Sequence, residues 1–198
     1  NHLIKAHKYY FDSKSEKFKK SINFCFNELP KIKDITYKNY NSENASHKIK
    51  PIFIVGVPRS GSTLVEKIIA SGLIQIPIGE ESGILGALIS QNLYYKQEFD
   101  LDLTNIQTKL INGYKQKKLI QQKYNYIFTD KSLDNFFYIN IICKIFPEAK
   151  IINCRRNSFS SIMSILKNNL IEIPWAHSLE NIFKYFDLYY KTIENYKV

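Results

Sequence analysis

Cysteine is scarce in this 198-residue chain: Cys25, Cys143 and Cys154 are an odd number with no CxxC pair. Neither a disulfide framework nor a thiolate zinc site is indicated, so reduced, buried thiols are the expectation. Histidine is equally sparse. His2, His7, His47 and His177 stand without ligand or triad spacing and give no support to a histidine-based nucleophilic mechanism. No metal centre is expected. No apolar run approaches the roughly 18 residues of a membrane span, and no charged-then-apolar leader ending in small residues is visible. The chain therefore reads as soluble and cytoplasmic, with no membrane partner. It opens on Asn1 rather than Met and stops at Val198 inside a helical pattern, which gives the expectation of a fragment at both ends.

What is present suits a folded domain. Hydrophobic residues make up 44% of the chain, enough for a substantial core. The net charge of +10 suits an anionic ligand, because summed positive potential concentrates phosphate and sulfate groups. Lysine is spread along the whole length, however, so most of this charge reads as solvated surface, and no nucleic-acid stripe is evident.

Residues 1 to about 40 carry apolar positions at helical spacing, among them Leu3, Ile4, His7, Tyr10 and Phe11, then Phe18, Ile22, Phe26 and Leu29 before Pro30. The polar stretch from Asn41 to Lys50 lacks periodicity and marks a boundary. This divides the chain into a helical lead-in over 1–45 and a second segment over 51–198. From Ile52 to Val55 a continuous apolar run predicts a strand buried on both faces, as in a parallel sheet. A helix is predicted from Thr63 to Ser71, and a strand or extended link from Leu73 to Ile78. Helices follow over Glu81 to about Lys96 and Thr104 to about Gln122, a short strand over Tyr126 to Phe128, and a helix from Leu133 to Phe146 stopped by Pro147. Lys150 to Cys154 is a further strand, and helices from Ser158 to Leu170 and Ser178 to Tyr196 complete the pattern. Strands alternating with helices of this length predict an α/β fold: a parallel sheet with helices on both faces.

The decisive segment is PIFIVGVPRSGSTLVEKII, Pro51 to Ile69, in which a buried strand turns through Gly56 and Gly61 into a helix. Successive backbone N–H groups and the helix N-terminus together stabilise an anion at such a turn. The Gly56 to Gly61 spacing fits the nucleoside-triphosphate loop GxxxxGK[ST], but Ser62 stands where that loop has lysine. The positive side chain is instead Arg59, whose planar guanidinium suits paired oxygens of phosphate or sulfate. On these residues PRSGSTL, Pro58 to Leu64, resembles the 5′-phosphosulfate loop of the sulfotransferases that use 3′-phosphoadenosine 5′-phosphosulfate (PAPS). The resemblance implies a P-loop-containing nucleotide-binding fold in which Arg59, Ser60, Gly61, Ser62 and Thr63 cradle the 5′-phosphosulfate.

The same family binds the 3′-phosphate with an arginine at a later strand end and a serine eight residues further on. Arg156 and Ser164 match this spacing, Arg155 being the weaker choice. Within the family the chain is similar to the protein-tyrosine sulfotransferases and to bacterial sulfotransferases with tetratricopeptide leaders. The resemblance implies Glu80, in IGEES, as the base that deprotonates the acceptor hydroxyl, with Glu81 beside it. It implies that Lys131, in TDKSLDNF, supports the leaving phosphate's bridging oxygen, a task shared with Arg59. Sulfuryl transfer of this kind resembles phosphoryl transfer and needs no metal. Asp130 and Asp134 read as turn and cap residues, and Trp175 and the aromatics Phe183, Tyr185, Phe186, Tyr189 and Tyr190 as packing.

The acceptor left open is a peptide tyrosine, a carbohydrate or a small molecule, with peptide tyrosine ahead on resemblance. Oligomeric state is open too. The lead-in fits the end of a tetratricopeptide array, although a repeat of about 34 residues cannot be traced within it, and the catalytic segment reads as incomplete at its C-terminus. Two alternatives stand: a P-loop kinase of a small molecule, disfavoured by Ser62, and a non-catalytic nucleotide-binding module.

Overall fold

The computed structural model describes residues 2–38, 40, 46–96, 100–124 and 126–196, with the backbone alone at 94–96. Residues 41–45, on which most of the expected boundary falls, lie outside them. Among the described residues there are five strands: β1 (Thr36–Lys38), β2 (Lys50–Gly56), β3 (Asp100–Asp102), β4 (Ile127–Asp130) and β5 (Lys150–Cys154). The α-helices are α1 (His2–Ser13), α2 (Ser15–Asn23), α3 (Ser62–Ala70), α4 (Ile84–Ser90), α5 (Leu103–Gln116), α6 (Ile139–Ile145), α7 (Ser158–Asn168) and α8 (Leu179–Glu194). The chain divides into two compact units, one of residues 1–32, 57–60 and 155–198, the other of 33–56 and 61–154.

The second unit holds a parallel sheet in the order β4-β2-β5, flanked by helices, and a separate parallel pair of β1 with β3. β2 is paired along both edges, by β4 and β5, and its apolar run lies in the core. Phe53, Ile54 and Val55 are fully buried, each contributing roughly 1.5–3 kcal/mol by leaving water. Around them Phe146 lies 6.5 Å from the Phe53 ring, and Tyr114 packs 4.7 Å from Phe128. Register places Ile52 opposite Thr129 and Val55 opposite Asn153. Each strand's carboxyl end is followed in sequence by a group singled out above: the PRSGSTL loop after β2, Lys131 after β4, and Arg155 with Arg156 after β5. Ligands of parallel α/β sheets collect at such ends.

Several elements differ from expectation for local reasons. Of the two readings of Leu73–Ile78, strand or link, the link holds: the segment bends at 73–74 and joins no sheet. Helix α4 starts at Ile84 rather than Glu81, because Gly83 takes a left-handed φ of 64° and its N–H is bound by the Ser132 hydroxyl. Residues 91–96 are π-helical, and Leu133–Tyr138 forms a 3-10 turn ahead of α6. The lead-in ends in π and 3-10 turns over Phe24–Asp34, followed by β1. Strands of three residues, such as β1 and β3, carry too little alternation to be read from sequence.

In the first unit α8 buries Ile182, Tyr185, Phe186, Tyr189 and Ile193, a stripe at helical spacing. Trp175 stacks on Tyr185 at 3.8 Å and is core, whereas Phe183 is 57% exposed and departs from the packing role expected of it. No disulfide joins the cysteines among the described residues, but only Cys154 is buried; Cys143 is exposed and Cys25 half-buried.

Two histidines 170 residues apart meet in this unit. His7 Nε2 donates to the Leu166 carbonyl at 2.8 Å, which leaves its Nδ1 to accept from His177 Nδ1–H at 3.0 Å, while Phe18 stacks on His177. Burial holds the His177 pKa below its ordinary value, with His7 and Lys14 acting the same way and the carbonyls of Ile171 and Leu170 opposing them. The unfolded chain therefore binds the proton more readily. The contribution is complete above the unfolded value of about 6.5 and is lost as pH falls through the lower folded value. Thermal unfolding between about pH 7.5 and 5.5 should show a falling midpoint in the wild type and a shallower fall in His177→Phe. Equal slopes would contradict this.

Candidate active site

In the loop, strand β2 delivers the chain into residues 57–60 of the first unit. Arg59 adopts a left-handed φ of 67°, a conformation costing a non-glycine residue of order 1 kcal/mol. Two groups hold it there: Arg156 Nη1 donates to the Arg59 carbonyl at 3.3 Å and the Ser161 hydroxyl does so at 3.4 Å. The Arg59 side chain is exposed, and its Nε donates to Ser164 Oγ at 3.0 Å. Asn168 Nδ2 holds the same serine through its carbonyl at 2.7 Å and Oγ at 3.3 Å. So Arg59, Arg156 and Ser164, inferred from two separate motifs, stand in one hydrogen-bonded group. None of the ion pairs among the described residues involves Arg59 or Arg156. Ser60 is 8% exposed, and its hydroxyl is buried without a hydrogen-bond partner among the described residues. An unpaired buried hydroxyl costs about 1–3 kcal/mol.

In the second unit the loop closes with Gly61 at φ 95°, a left-handed conformation that glycine adopts without strain, and its carbonyl receives Leu64 N and Val65 N at the start of α3. Ser62 is buried and Thr63 exposed at the first turn. Further along α3, Glu66 is 2% exposed; its Oε1 accepts from the Thr129 hydroxyl at 2.7 Å and from Glu80 N at 3.1 Å.

Glu80 follows Gly79, which presses directly on β4. A Cβ at Gly79 would stand 1.9 Å from the Thr129 carbonyl oxygen, so only glycine permits this approach. Gly79 N also donates to Thr129 Oγ1 at 3.1 Å, and Lys131 N donates to the Glu80 carbonyl at 2.7 Å. Glu80 has a left-handed φ of 50°, and its side chain is exposed. The Lys131 amine is nearly buried and donates to Glu81 Oε1 at 2.9 Å. Glu80, Glu81 and Lys131 are thus gathered at the end of β4, with the lysine on Glu81 rather than Glu80.

Beneath them lies a group that sequence reading took for a turn residue. Asp130 is fully buried at the end of β4. Its Oδ2 accepts from the Tyr114 and Ser82 hydroxyls, both at 2.6 Å. Its Oδ1 accepts from Ser132 N at 2.9 Å, Ser132 Oγ at 2.7 Å and Asn135 Nδ2 at 3.4 Å. Burial, joined by the Asp130 charge and hydrogen bond, pushes the Tyr114 phenol well above its usual pKa. Sequence reasoning also missed Glu66, Thr129, Ser161 and Asn168. For Glu66 a signal existed: Ser62, Glu66 and Ala70 form an i, i+4, i+8 buried stripe with a carboxylate in its middle.

No group of three or more metal-ligating side chains occurs among the described residues, and none of their helices is long and apolar enough to cross a membrane.

Parallel strands flanked by helices, with a glycine-turned loop opening α3, define a mixed α/β protein. The profile of the sulfotransferase family matches residues 51–197, and the chain belongs to that family of transferases. It is also 30% identical over 131 residues to an uncharacterized protein of Aquifex aeolicus (strain VF5); the match covers 61% of this chain and 17% of that protein.

Proposed function

We propose that this chain carries the donor-binding half of a sulfotransferase that moves a sulfuryl group from PAPS to an acceptor hydroxyl without a metal. The observation that carries the reading is Ser60. Its buried, unpartnered hydroxyl sits next to Arg59, whose guanidinium has no carboxylate partner among the described residues, and both needs are met by an anion's oxygens. Because PRSGSTL is one continuous stretch of chain, Arg59, Ser60, Gly61, Ser62 and Thr63 serve one phosphosulfate, with the N-terminus of α3 adding its partial positive charge. Arg156 and Ser164 take the 3′-phosphate. PAPS supplies the electrophilic sulfuryl group and a phosphate leaving group.

The chain's own groups supply the rest. The exposed Glu80 carboxylate accepts the acceptor's proton, and Lys131 and Arg59 stabilise negative charge on the departing oxygen. Glu81 holds the Lys131 amine in place. Peptide tyrosine is the first acceptor to test, because the motif resembles that of the tyrosine sulfotransferases. In the same reading residues 1–45 are a lead-in, the end of a tetratricopeptide array, residues 51–198 are the catalytic segment, and the protein is cytoplasmic.

The test is mass spectrometry of product. Incubation with PAPS in EDTA and a panel of tyrosine peptides, sugars and phenols is expected to give a sulfated acceptor. Phosphorylated product from Mg·ATP would establish the kinase instead, and no product from folded chain that binds nucleotide would leave a binding module.

A further inference from the structure

Glu66 lies one turn beyond the phosphate loop, yet its carboxylate points at the segment that carries the candidate base. It is a buried acid held by groups that contact neither donor nor acceptor in the proposed mechanism. Its Oε1 receives two donors, the Glu80 main-chain N–H at 3.1 Å and the Thr129 hydroxyl at 2.7 Å. The Thr129 oxygen, having donated its proton to Glu66, accepts from Gly79 N at 3.1 Å. Lys131 N, two residues beyond Thr129, donates to the Glu80 carbonyl at 2.7 Å. These four bonds form a closed clamp joining α3, the link residues Gly79 and Glu80, and the end of β4.

The clamp has a specific task. Glu80 sits at φ 50°, a backbone conformation that a residue with a Cβ does not keep unless its surroundings hold it. Both main-chain polar groups of Glu80 are used, the N–H by Glu66 and the carbonyl by Lys131 N. Among the described residues no hydrogen bond or ion pair holds its carboxylate, so the backbone is what sets the direction in which its Cα–Cβ bond leaves the chain. A displacement of about 1 Å in a reacting group can cost on the order of 100-fold in rate.

We propose that Glu66 is a positioning residue for this reaction: from the helix that opens at the phosphate loop, its carboxylate fixes Glu80 in the strained backbone conformation that aims the base. The inference rests on the reading of Glu80 as base. Glutamine at position 66 keeps a carbonyl oxygen able to accept both donors, whereas leucine keeps the volume and removes the acceptor.

The test combines Glu66→Leu, Glu66→Gln and Thr129→Val, which breaks the hydroxyl relay at nearly constant volume. The expected result for Glu66→Leu is a kcat lower by roughly 10–100-fold with binding of 3′,5′-adenosine diphosphate kept within about threefold. Glu66→Gln should restore kcat to within about threefold of wild type, and Thr129→Val should fall between them. In a Glu80→Gln background, Glu66→Leu should add little further loss, because a positioned group that is already absent cannot be misplaced. Amide hydrogen exchange at Glu80 reads the clamp without any turnover and should speed up in Glu66→Leu and Thr129→Val. That arm separates this idea from the function itself: a wild type with no transferase activity sinks the base reading, while unchanged Glu80 exchange sinks the clamp. The inference is also overturned if the Glu66→Leu and Glu80→Gln losses multiply, or if donor binding falls as far as kcat. Should Glu66→Leu not fold, the Thr129→Val exchange and kcat values decide alone.

Discussion

Asp130→Ala is expected to cost about 3–5 kcal/mol of stability, among the largest single-residue effects in the second unit. Five donors converge on that carboxylate, from Tyr114, Ser82, Asn135 and twice from Ser132. Removing it strands them in the interior, where each unsatisfied polar group costs about 1–3 kcal/mol before relaxation. For a chain of this size the melting temperature should fall by roughly 10 °C. Tyr114→Phe removes one donor together with its own polar atom and should cost about 1–2 kcal/mol, well below Asp130→Ala. Urea unfolding followed by circular dichroism measures both. A loss under about 1 kcal/mol for Asp130→Ala would mean that the network is relaxed into water and does not organise the end of β4.

Glu80→Gln is expected to reduce kcat by about 10²–10⁴-fold, the usual contribution of a general base. The backbone clamp remains, since both of its bonds to residue 80 use main-chain atoms. The substitution therefore separates chemistry from architecture: the melting temperature and binding of 3′,5′-adenosine diphosphate should stay at wild-type values. Single-turnover assays with PAPS and an active acceptor give the number. A fall of less than about threefold would move the proton-accepting role elsewhere, with Glu81 the next group to test.

The elements that carry strong periodicity were legible in the sequence, and the reason is physical. Ile52 to Val55 is a run that only burial on both faces explains, and it is the central strand; Lys150 to Cys154 and the stripe of α8 read equally directly. The loop was legible because glycine spacing and Arg59 are local. Contacts that depend on distant pairing were not. Nothing in the sequence joins His7 to His177 or Glu66 to Glu80 and Thr129, and Asp130 reads as a turn residue until Tyr114 and Ser82 are seen to close on it. Lys131 and Glu81 pair for the same reason, through the end of β4 and not through chain proximity. The acceptor follows from neither sequence nor fold, because acceptor choice depends on pocket details.

Calorimetry tests the proposed donor site most directly: titration of 3′,5′-adenosine diphosphate and of ATP, both in EDTA, into the wild-type chain and into Arg156→Ala. Metal-free binding with a clear preference for the 3′-phosphorylated nucleotide is expected, weakened at least tenfold by Arg156→Ala, the size of one lost charge-assisted contact of about 1.5–3 kcal/mol. Equal binding of the two nucleotides, or a preference untouched by Arg156→Ala in folded protein, would contradict it.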